Sequence, residues 1–258
     1  YDYAHRGLHN HDAGVPENSL LSFELAAESG FGVELDLQLT RDNQVVVFHD
    51  EDRQRLCGEN PKLPELTLEE LKTRKLLETR ETIPTLEEAL SAVAGRVPII
   101  IEIKVYDGDP EEFCPVIWEA LQGYGGQYCV QSFDTLVVKW FRENQPQVLR
   151  GQLMSTVRAN ENTTEFQAFI QQNLCSNYLT RPDFTAYDCR VRDTPAMWIA
   201  KNIFSMPEIS WTVRDEDTYR KLKDENCIVI FEGFVPGGGS FGENGRIVAV
   251  DGEVSSSR

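Results

Sequence analysis

Short apolar stretches of β-strand character alternate with amphipathic helical patterns along most of the chain. The predicted strands lie at 1–5, 32–39, 44–50, 97–104, 127–133, 148–154, 176–180, 208–213 and 227–233. Helices are predicted at 19–29, after Thr67, after Thr85, and at 111–121, 136–143, 165–172, 195–201 and 217–225. Repeated strand-then-helix units over 258 residues, without a linker or a shift in composition, favour one α/β domain over 1–258. The predicted fold is a (β/α)8 TIM barrel, and a doubly wound open sheet is the alternative.

Residues 51–80 are longer than a simple strand-to-helix connection. We interpret them as a small insertion after the second strand unit that crosses the carboxyl face of the barrel. Thr67 with Glu70, and Thr85 with Glu88, have the spacing of capping boxes, in which each side chain satisfies an unpaired N–H of the first helical turn.

Acidic residues outnumber basic residues by 42 to 25, which gives a formal net charge of −17. The resulting field repels phosphate backbones and anionic membrane surfaces, so neither nucleic acid nor a stable membrane association is expected. No apolar stretch reaches the length of a membrane span. The six cysteines form no CxxC pair and are predicted to be buried apolar side chains, which favours a reducing, cytoplasmic location. A signal peptide removed before Tyr1 would leave no trace in this sequence.

The glycine-rich stretch 233–245 contains Gly237, Gly238 and Gly239 but no GK[ST] motif. A nucleotide P-loop is therefore not supported. The pattern favours a flexible loop or lid over a phosphate-binding loop, and the final residues, 252–258, are predicted to be a polar tail.

Polar residues interrupt the apolar stretches where the first strands end. His5 and Arg6 follow the first strand, and Gly7 lets the chain turn away from it. Glu34 and Asp36 lie two residues apart, so they share one face of the second strand. Two neighbouring carboxylates repel each other unless a cation offsets their charge, which makes an oxygen-ligated divalent metal the natural hypothesis. A pair on a solvated strand edge is the alternative.

The next two strands also end in ionisable residues. His49 ends a buried-looking strand, and a hydrogen-bonded core histidine is the alternative interpretation. Glu102 and Lys104 share a strand face, where they could simply form a mutual salt bridge. Barrel enzymes build their sites at the carboxyl ends of the strands, so all these groups are expected to meet. Together they supply acid–base groups, a site for a hard metal ion and phosphate-binding cations. These are the functional groups that cleavage of a phosphate ester requires.

These residues resemble the pattern of the glycerophosphodiester phosphodiesterase family. The pattern comprises His5-Arg6-Gly7, Pro16-Glu17-Asn18-Ser19, Glu34-x-Asp36, Leu39-Thr40-x-Asp42, His49-Asp50 and Glu102-x-Lys104. Weaker similarities follow at 66–68, 83–88, 131–133 and 211–213. The resemblance covers most of the chain and is most specific in the first 105 residues.

The resemblance implies a (β/α)8 barrel with one divalent cation, Ca²⁺ or Mg²⁺, held by Glu34, Asp36 and Glu102. It further implies that His5 and His49 act as acid and base. A substrate hydroxyl would attack phosphorus to form a cyclic phosphate, which water then opens. Arg6 and Lys104 match positions that contact the phosphate.

Three further residues are candidates for substrate binding. Asn18 could equally be the N-cap of the first helix, and Phe133 and Trp211 could be core aromatics. His9 and His11 lie in a polar connection and are expected to be exposed.

The predicted activity is hydrolysis of small glycerophosphodiesters to glycerol 3-phosphate and an alcohol, important in lipid and glycerol metabolism. Residues 51–80 do not identify the alcohol, and the sequence does not give the oligomeric state. A lysophospholipase D or sphingomyelinase D-like activity is one alternative, although no interfacial apolar segment supports it. A catalytically silent barrel that binds a phosphorylated ligand is another.

Overall fold

Eight parallel strands close into a barrel in the computed structural model, which describes residues 1–106, 108–155, 174–242 and 247–249. The strands are β1 Tyr3–Ala4, β2 Gly32–Leu39, β3 Val45–Val47, β4 Asp52–Arg53, β5 Glu59–Lys62, β6 Ile99–Ile103, β7 Tyr128–Ser132, β8 Arg150–Met154, β9 Phe184–Asp188, β10 Glu208–Val213, β11 Ile228–Phe231, β12 Gly239–Phe241 and β13 Ile247–Ala249. Of these, β1, β2 and β6 to β11 form the barrel. Ala4 closes it by pairing with Val33 on one side and Phe231 on the other. The predicted (β/α)8 fold is confirmed.

Helices flank the barrel strands. They are α1 Leu20–Glu28, α2 Gln54–Cys57, α3 Leu68–Lys72, α4 Leu86–Val93, α5 Pro110–Leu121, α6 Thr135–Asn144, α7 Asn177–Thr180, α8 Pro195–Asn202 and α9 Glu216–Asp224. The capping boxes at Thr67 and Thr85 are confirmed. Ser19, rather than Asn18, caps α1. The helix predicted at 165–172 lies outside the described residues.

Apolar side chains pack on both faces of the barrel sheet. Outward residues such as Val33, Ile101 and Phe231 join the surrounding helices in one large core. Inward residues fill the barrel itself and are Ile100, Leu153, Phe184, Ala186, Ile209 and Ile230. Because both faces are buried, β6 and β11 have nearly continuous apolar runs rather than strict alternation.

The stretch 44–50 does not form a barrel strand, contrary to the prediction. Its strand, β3, pairs antiparallel with the end of β2, with Leu37 opposite Val47 and Leu39 opposite Val45. A tight turn at 40–44 returns the chain, and the amide of Phe48 donates to the carbonyl of Asp36 at 2.9 Å. Sequence periodicity gives no strand direction, so the hairpin could not be distinguished from another βα unit.

The stretch 176–180 is also not a strand, because it contains helix α7. The barrel strand of this region is β9, which begins after Pro182. Short apolar runs are compatible with either structure, so composition alone misplaced this strand.

The insertion at 51–80 packs around a small second core, to which Val46, Phe48 and Ile83 from outside the insertion also contribute. Strands β4 and β5 pair antiparallel, and α2 and α3 surround them. The apolar residues of this core are Val46, Phe48, Leu56, Leu63, Leu71, Leu76 and Ile83.

The glycine-rich stretch is only partly described. Gly239 to Phe241 pair antiparallel with residues 247–249, so a small two-stranded sheet takes the place of part of the expected loop. The amide of Gly237 donates to Glu216 at the start of α9 at 3.4 Å. Residues 243–246 and the predicted tail lie outside the described residues.

The six cysteines differ in burial. Cys114 and Cys227 are buried as predicted, and Cys57, Cys129 and Cys189 are partly buried. Cys175 is exposed, so the prediction of a buried filler is wrong there. In the described part of the chain, no helix has both the length and the hydropathy required to cross a membrane.

Candidate active site

Three carboxylates converge at the carboxyl ends of two adjacent strands. Asp36 on β2 pairs in register with Glu102 on β6, and Glu34 lies one pleat below on the same face. Each of these residues offers an oxygen atom within 4.8 Å of the others, and none is more than 7% exposed. Burial and repulsion from Asp36 and Glu102 raise the pKa of Glu34 well above its usual value. The cluster is therefore electrostatically costly without an added positive charge.

Two cations already contact this carboxylate cluster. Lys104 Nζ binds Glu102 and lies 3.2 Å from Asp36 Oδ1. Arg6 Nε lies 3.4 Å from Asp36 Oδ2, and the Arg6 amide donates to Glu34 Oε2 at 3.0 Å. Burial alone raises the pKa of Asp36, but attraction to Lys104, His49 and Arg6 outweighs it and lowers that pKa.

The donor set fits a divalent metal ion. All three groups offer hard carboxylate oxygens, which Ca²⁺ and Mg²⁺ prefer. Asp36 Oδ1 is buried and accepts no well-directed hydrogen bond from the described residues; Lys104 Nζ lies 3.2 Å away, which leaves a lone pair that could bind a cation. Asn18 Nδ2 donates to the other oxygen of Asp36 at 2.8 Å and so fixes the carboxylate plane. Glu34, Asp36 and Glu102 could hold such an ion.

Both predicted histidines border the same cavity, and a carboxylate contacts each ring. His5 Nδ1 lies 3.1 Å from Glu232 Oε2, and His49 Nδ1 lies 2.7 Å from Asp50 Oδ1. His5 Nε2 lies 4.0 Å from Glu34. Burial lowers the pKa of His5 to about 4, although the hydrogen bond to Glu232 opposes this effect. Burial therefore favours the neutral form of the His5 ring.

Local backbone geometry fixes both histidines. Gly7 has a φ of 77°, and a Cβ atom there would lie 2.3 Å from the hydroxyl of Ser22, so only glycine allows this turn after His5. The chain around His49 is held by Gln38, whose amide donates to the carbonyls of Phe48 at 2.8 Å and Asp50 at 2.9 Å.

The remaining predicted binding residues lie at or near this cavity. Its volume is about 240 Å³, and its lining includes both histidines, Arg6, Lys104, Phe133 and Trp211. Phe133 and Trp211 meet edge to face, with centroids 5.6 Å apart, and Phe133 is 43% exposed. Asn18 does not line the cavity; it supports Asp36 from behind.

Several residues at the site were not found from the sequence. Arg55, from the insertion, binds Glu17 Oε2 at 2.6 Å and Asp50 Oδ2 at 2.8 Å, and Glu17 in turn binds Arg6 at 2.6 Å. No sequence signal indicates this bridge. Glu232 could have been found, because it follows the last barrel strand at the carboxyl end where sites are built.

The histidines of the connection after β1 differ in exposure. His11 is exposed as predicted, at 37%. His9 is only 10% exposed and lies 3.5 Å from Glu232 Oε1, so the prediction of an exposed His9 is wrong. The connection folds back over the barrel mouth, which the polarity of its residues did not reveal.

Curated relatives align with parts of the chain. A putative glycerophosphodiester phosphodiesterase of Bacillus subtilis is 34% identical over 57% of this chain and 63% of its own length. A glycerophosphodiester phosphodiesterase of Caldanaerobacter subterraneus is 33% identical over 58% of this chain and 65% of its own. The matched part of this chain therefore spans less than two thirds of these relatives. Glycerophosphodiester phosphodiesterase 1 of Bos taurus is 27% identical over 84% of this chain and 73% of its own length.

Solved structures share the fold over most of the chain. A glycerophosphodiester phosphodiesterase of Thermotoga maritima has a TM-score of 0.67 and 29% identity over 89% of this chain and 92% of its own. A phosphodiesterase of Oleispira antarctica, solved with the product sn-glycerol-3-phosphate, has a TM-score of 0.73 and 23% identity over 89% of this chain and 91% of its own.

The family model matches most of the chain. The model of the glycerophosphoryl diester phosphodiesterase family matches residues 5–232, a span that begins at His5, ends at Glu232 and contains the whole cavity. The chain therefore belongs to the glycerophosphoryl diester phosphodiesterase family.

Proposed function

We propose that this protein is a metal-dependent hydrolase that cleaves small glycerophosphodiesters to glycerol 3-phosphate and an alcohol. The observation that carries the proposal is the meeting of a buried carboxylate cluster with two histidines and two cations around one cavity. The family match and the names of the relatives support it.

The carboxylate cluster and its cations would hold the phosphate. A divalent ion bound by Glu34, Asp36 and Glu102 supplies charge neutralisation at a phosphate oxygen. Lys104, whose ammonium group lines the cavity, adds a fixed positive charge. Arg6 adds a guanidinium that is held on Glu17 by a 2.6 Å hydrogen bond. Both cations counter the negative charge that builds on the phosphoryl oxygens in the transition state.

The two histidines would exchange protons with the substrate oxygens. In each ring Nδ1 faces a carboxylate, so Nε2 is the atom available for proton transfer. One imidazole takes the proton from the attacking hydroxyl of the glycerol, and the other gives a proton to the departing alkoxide. A water molecule then opens the cyclic phosphate, and the two rings reverse their roles.

The size and lining of the cavity favour a small substrate. About 240 Å³ accommodates a glycerophosphate group, whereas pockets that bury larger ligands are typically 300–1,000 Å³. The edge-to-face pair Phe133 and Trp211 offers an apolar wall for the carbon atoms of the glycerol or alcohol. A lysophospholipid would need an additional apolar channel for its acyl chain.

A substrate panel tests the proposal. Glycerophosphocholine, glycerophosphoethanolamine, glycerophosphoglycerol and lysophosphatidylcholine are each assayed with Ca²⁺, with Mg²⁺ and with chelator. We expect glycerol 3-phosphate to be released from the small diesters, only with a cation. His5→Ala and His49→Ala should each lower kcat by about 100-fold or more, since general acid–base catalysis contributes that much. His11→Ala is the control for loss of a ring outside the cavity, and it should have a much smaller effect, limited to the 3.4 Å contact of His11 with Glu17.

Two outcomes would refute the proposal. One is hydrolysis of no small diester with either cation. The other is faster hydrolysis of lysophosphatidylcholine than of any glycerophosphodiester, which would favour the lysophospholipase D-like alternative.

A further inference from the structure

The last barrel strand places a carboxylate against the first catalytic histidine. We infer that Glu232 is a positioning residue, whose carboxylate accepts the Nδ1–H of His5 and so keeps Nε2 of that ring free and directed at the substrate. The inference rests on the proposed function, because it assigns a partner to one of the two proton-transfer groups. Glu232 lies 227 positions from His5 in the sequence.

The barrel backbone brings the two side chains together. β1 and β11 are neighbouring parallel strands, and the amide of His5 donates to the carbonyl of Phe231 at 2.9 Å. The amide of Glu232 donates to the carbonyl of Val213 at 2.9 Å. The backbones of His5 and Glu232 are thus both fixed by hydrogen bonds to neighbouring barrel strands. The pairing of these strands places His5 Nδ1 3.1 Å from Glu232 Oε2.

Two neighbours hold the Glu232 carboxylate in place. Arg214 at the end of β10 donates to Oε2 at 2.7 Å, and His9 Nε2 lies 3.5 Å from Oε1. Burial raises the pKa of Glu232, but the hydrogen bond from His5 and the nearby Arg214 charge outweigh it and lower that pKa. Glu232 is thus an ionised, oriented acceptor at neutral pH.

The chemistry of a carboxylate determines the His5 tautomer. An ionised carboxylate has no proton to donate, so His5 Nδ1 must carry one. In the neutral ring the lone pair then lies on Nε2, the atom that proton transfer requires. The same arrangement holds at His49, where the adjacent Asp50 accepts from Nδ1 at 2.7 Å. Each catalytic ring thus has its own carboxylate.

Steady-state kinetics of Glu232 variants test the inference. Glu232→Ala should lower kcat by about 10- to 100-fold, the effect typical of carboxylates that orient a functional histidine, and change KM by less than about 3-fold. Glu232→Gln should lower kcat less than Glu232→Ala does, because the amide oxygen of glutamine can still accept a hydrogen bond from His5 Nδ1. Glu208→Gln is the matched control: it removes another buried carboxylate paired with an arginine, at the opposite end of the barrel, and should leave kcat unchanged.

The tautomer itself can be observed by long-range ¹H–¹⁵N correlation spectra of histidine-labelled protein at pH 8, with the His5 signals assigned from a His5→Gln variant. We expect the Nδ1–H form in the wild type and the Nε2–H form in Glu232→Ala. An unchanged tautomer, or a loss of kcat in Glu208→Gln equal to that in Glu232→Ala, would overturn the inference. A wild-type protein that hydrolyses no diester would refute the proposed function instead, and the spectra would still decide whether Glu232 orients His5.

Discussion

At the scale of single residues, the carboxylate cluster has the largest electrostatic cost. Glu34, Asp36 and Glu102 are buried together, and two flanking cations only partly offset their charge. Asp36 Oδ1 accepts no well-directed hydrogen bond from the described residues, although Lys104 Nζ lies 3.2 Å from it. We expect such a site to bind a metal ion, because its three buried carboxylates outnumber the two cations that contact them.

Neutralising one carboxylate of the cluster should weaken cation binding. Asp36→Asn and Glu34→Gln remove a charged ligand but keep the side-chain size, so the affinity for Ca²⁺ or Mg²⁺ should fall by about 10-fold or more, as metal affinity depends on ligand charge. Isothermal titration calorimetry measures this directly, with Glu70→Gln as an exposed-carboxylate control. Equal affinities in all the proteins would exclude the cluster as the ligand set.

At the scale of secondary-structure elements, the β2–β3 hairpin and the insertion build one side of the site. The hairpin returns the chain so that His49 lies beside the cluster, and Tyr106 donates to the carbonyl of His49 at 2.6 Å. Helix α2 then contributes Arg55, which links Asp50 to Glu17. The insertion thereby connects the orientation of His49 to that of Arg6.

Removing this link should impair turnover more than folding. Arg55→Met should lower kcat by about 10-fold, and Arg55→Lys should restore little, because an ammonium cannot replace a planar guanidinium that bridges two carboxylates. Arg41→Met provides the control, since Arg41 binds Glu70 in an exposed pair of the same region. The kcat and the thermal unfolding midpoint, Tm, should be measured for all three variants and for the wild type. If Arg55→Met kept the wild-type kcat, the insertion would have no role in positioning His49.

The sequence predicted the elements that depend on local pattern. The two-residue period placed Glu34 and Asp36 on one face, and the capping boxes marked α3 and α4. Strand direction in β3 and the choice between α7 and β9 depend on pairing with distant strands, so the local sequence could not give them. The contacts of Arg55 depend on how the insertion folds and were missed for the same reason. Glu232 was missed although its place after the last barrel strand marks it as a candidate site residue.

At the scale of the whole molecule, ion pairs at the amino end of the barrel complement the site at the carboxyl end. Glu208 at the start of β10 binds Arg192, accepts from Ser210 at 2.9 Å, and lies 3.3 Å from Lys201. Burial raises the pKa of Glu208, but the hydrogen bond from Arg192 outweighs it and lowers that pKa to about 2. We therefore expect this end of the barrel to contribute to stability.

The shifted pKa of Glu208 predicts a specific dependence of stability on pH. The pKa is lower in the folded than in the unfolded protein, so its contribution is complete above about pH 4.5 and is lost as the pH falls toward 2. Glu208→Gln should reduce the free energy of unfolding by about 1 to 2 kcal/mol at pH 7, and by less at lower pH, after allowance for solvent screening. Urea unfolding of both proteins between pH 7 and pH 2.5 measures the difference. A difference that did not narrow with falling pH would show that Glu208 does not titrate as described.

The most direct test of the central claim is the rate of glycerol 3-phosphate release by metal-stripped protein as Ca²⁺ or Mg²⁺ is added back. We expect no turnover of a small glycerophosphodiester without the cation, saturable recovery in the wild type, and recovery in Asp36→Asn only at cation concentrations about 10-fold or more higher. Full turnover by the stripped protein, or equal recovery in Asp36→Asn, would contradict the claim that the carboxylate cluster binds a catalytic metal ion.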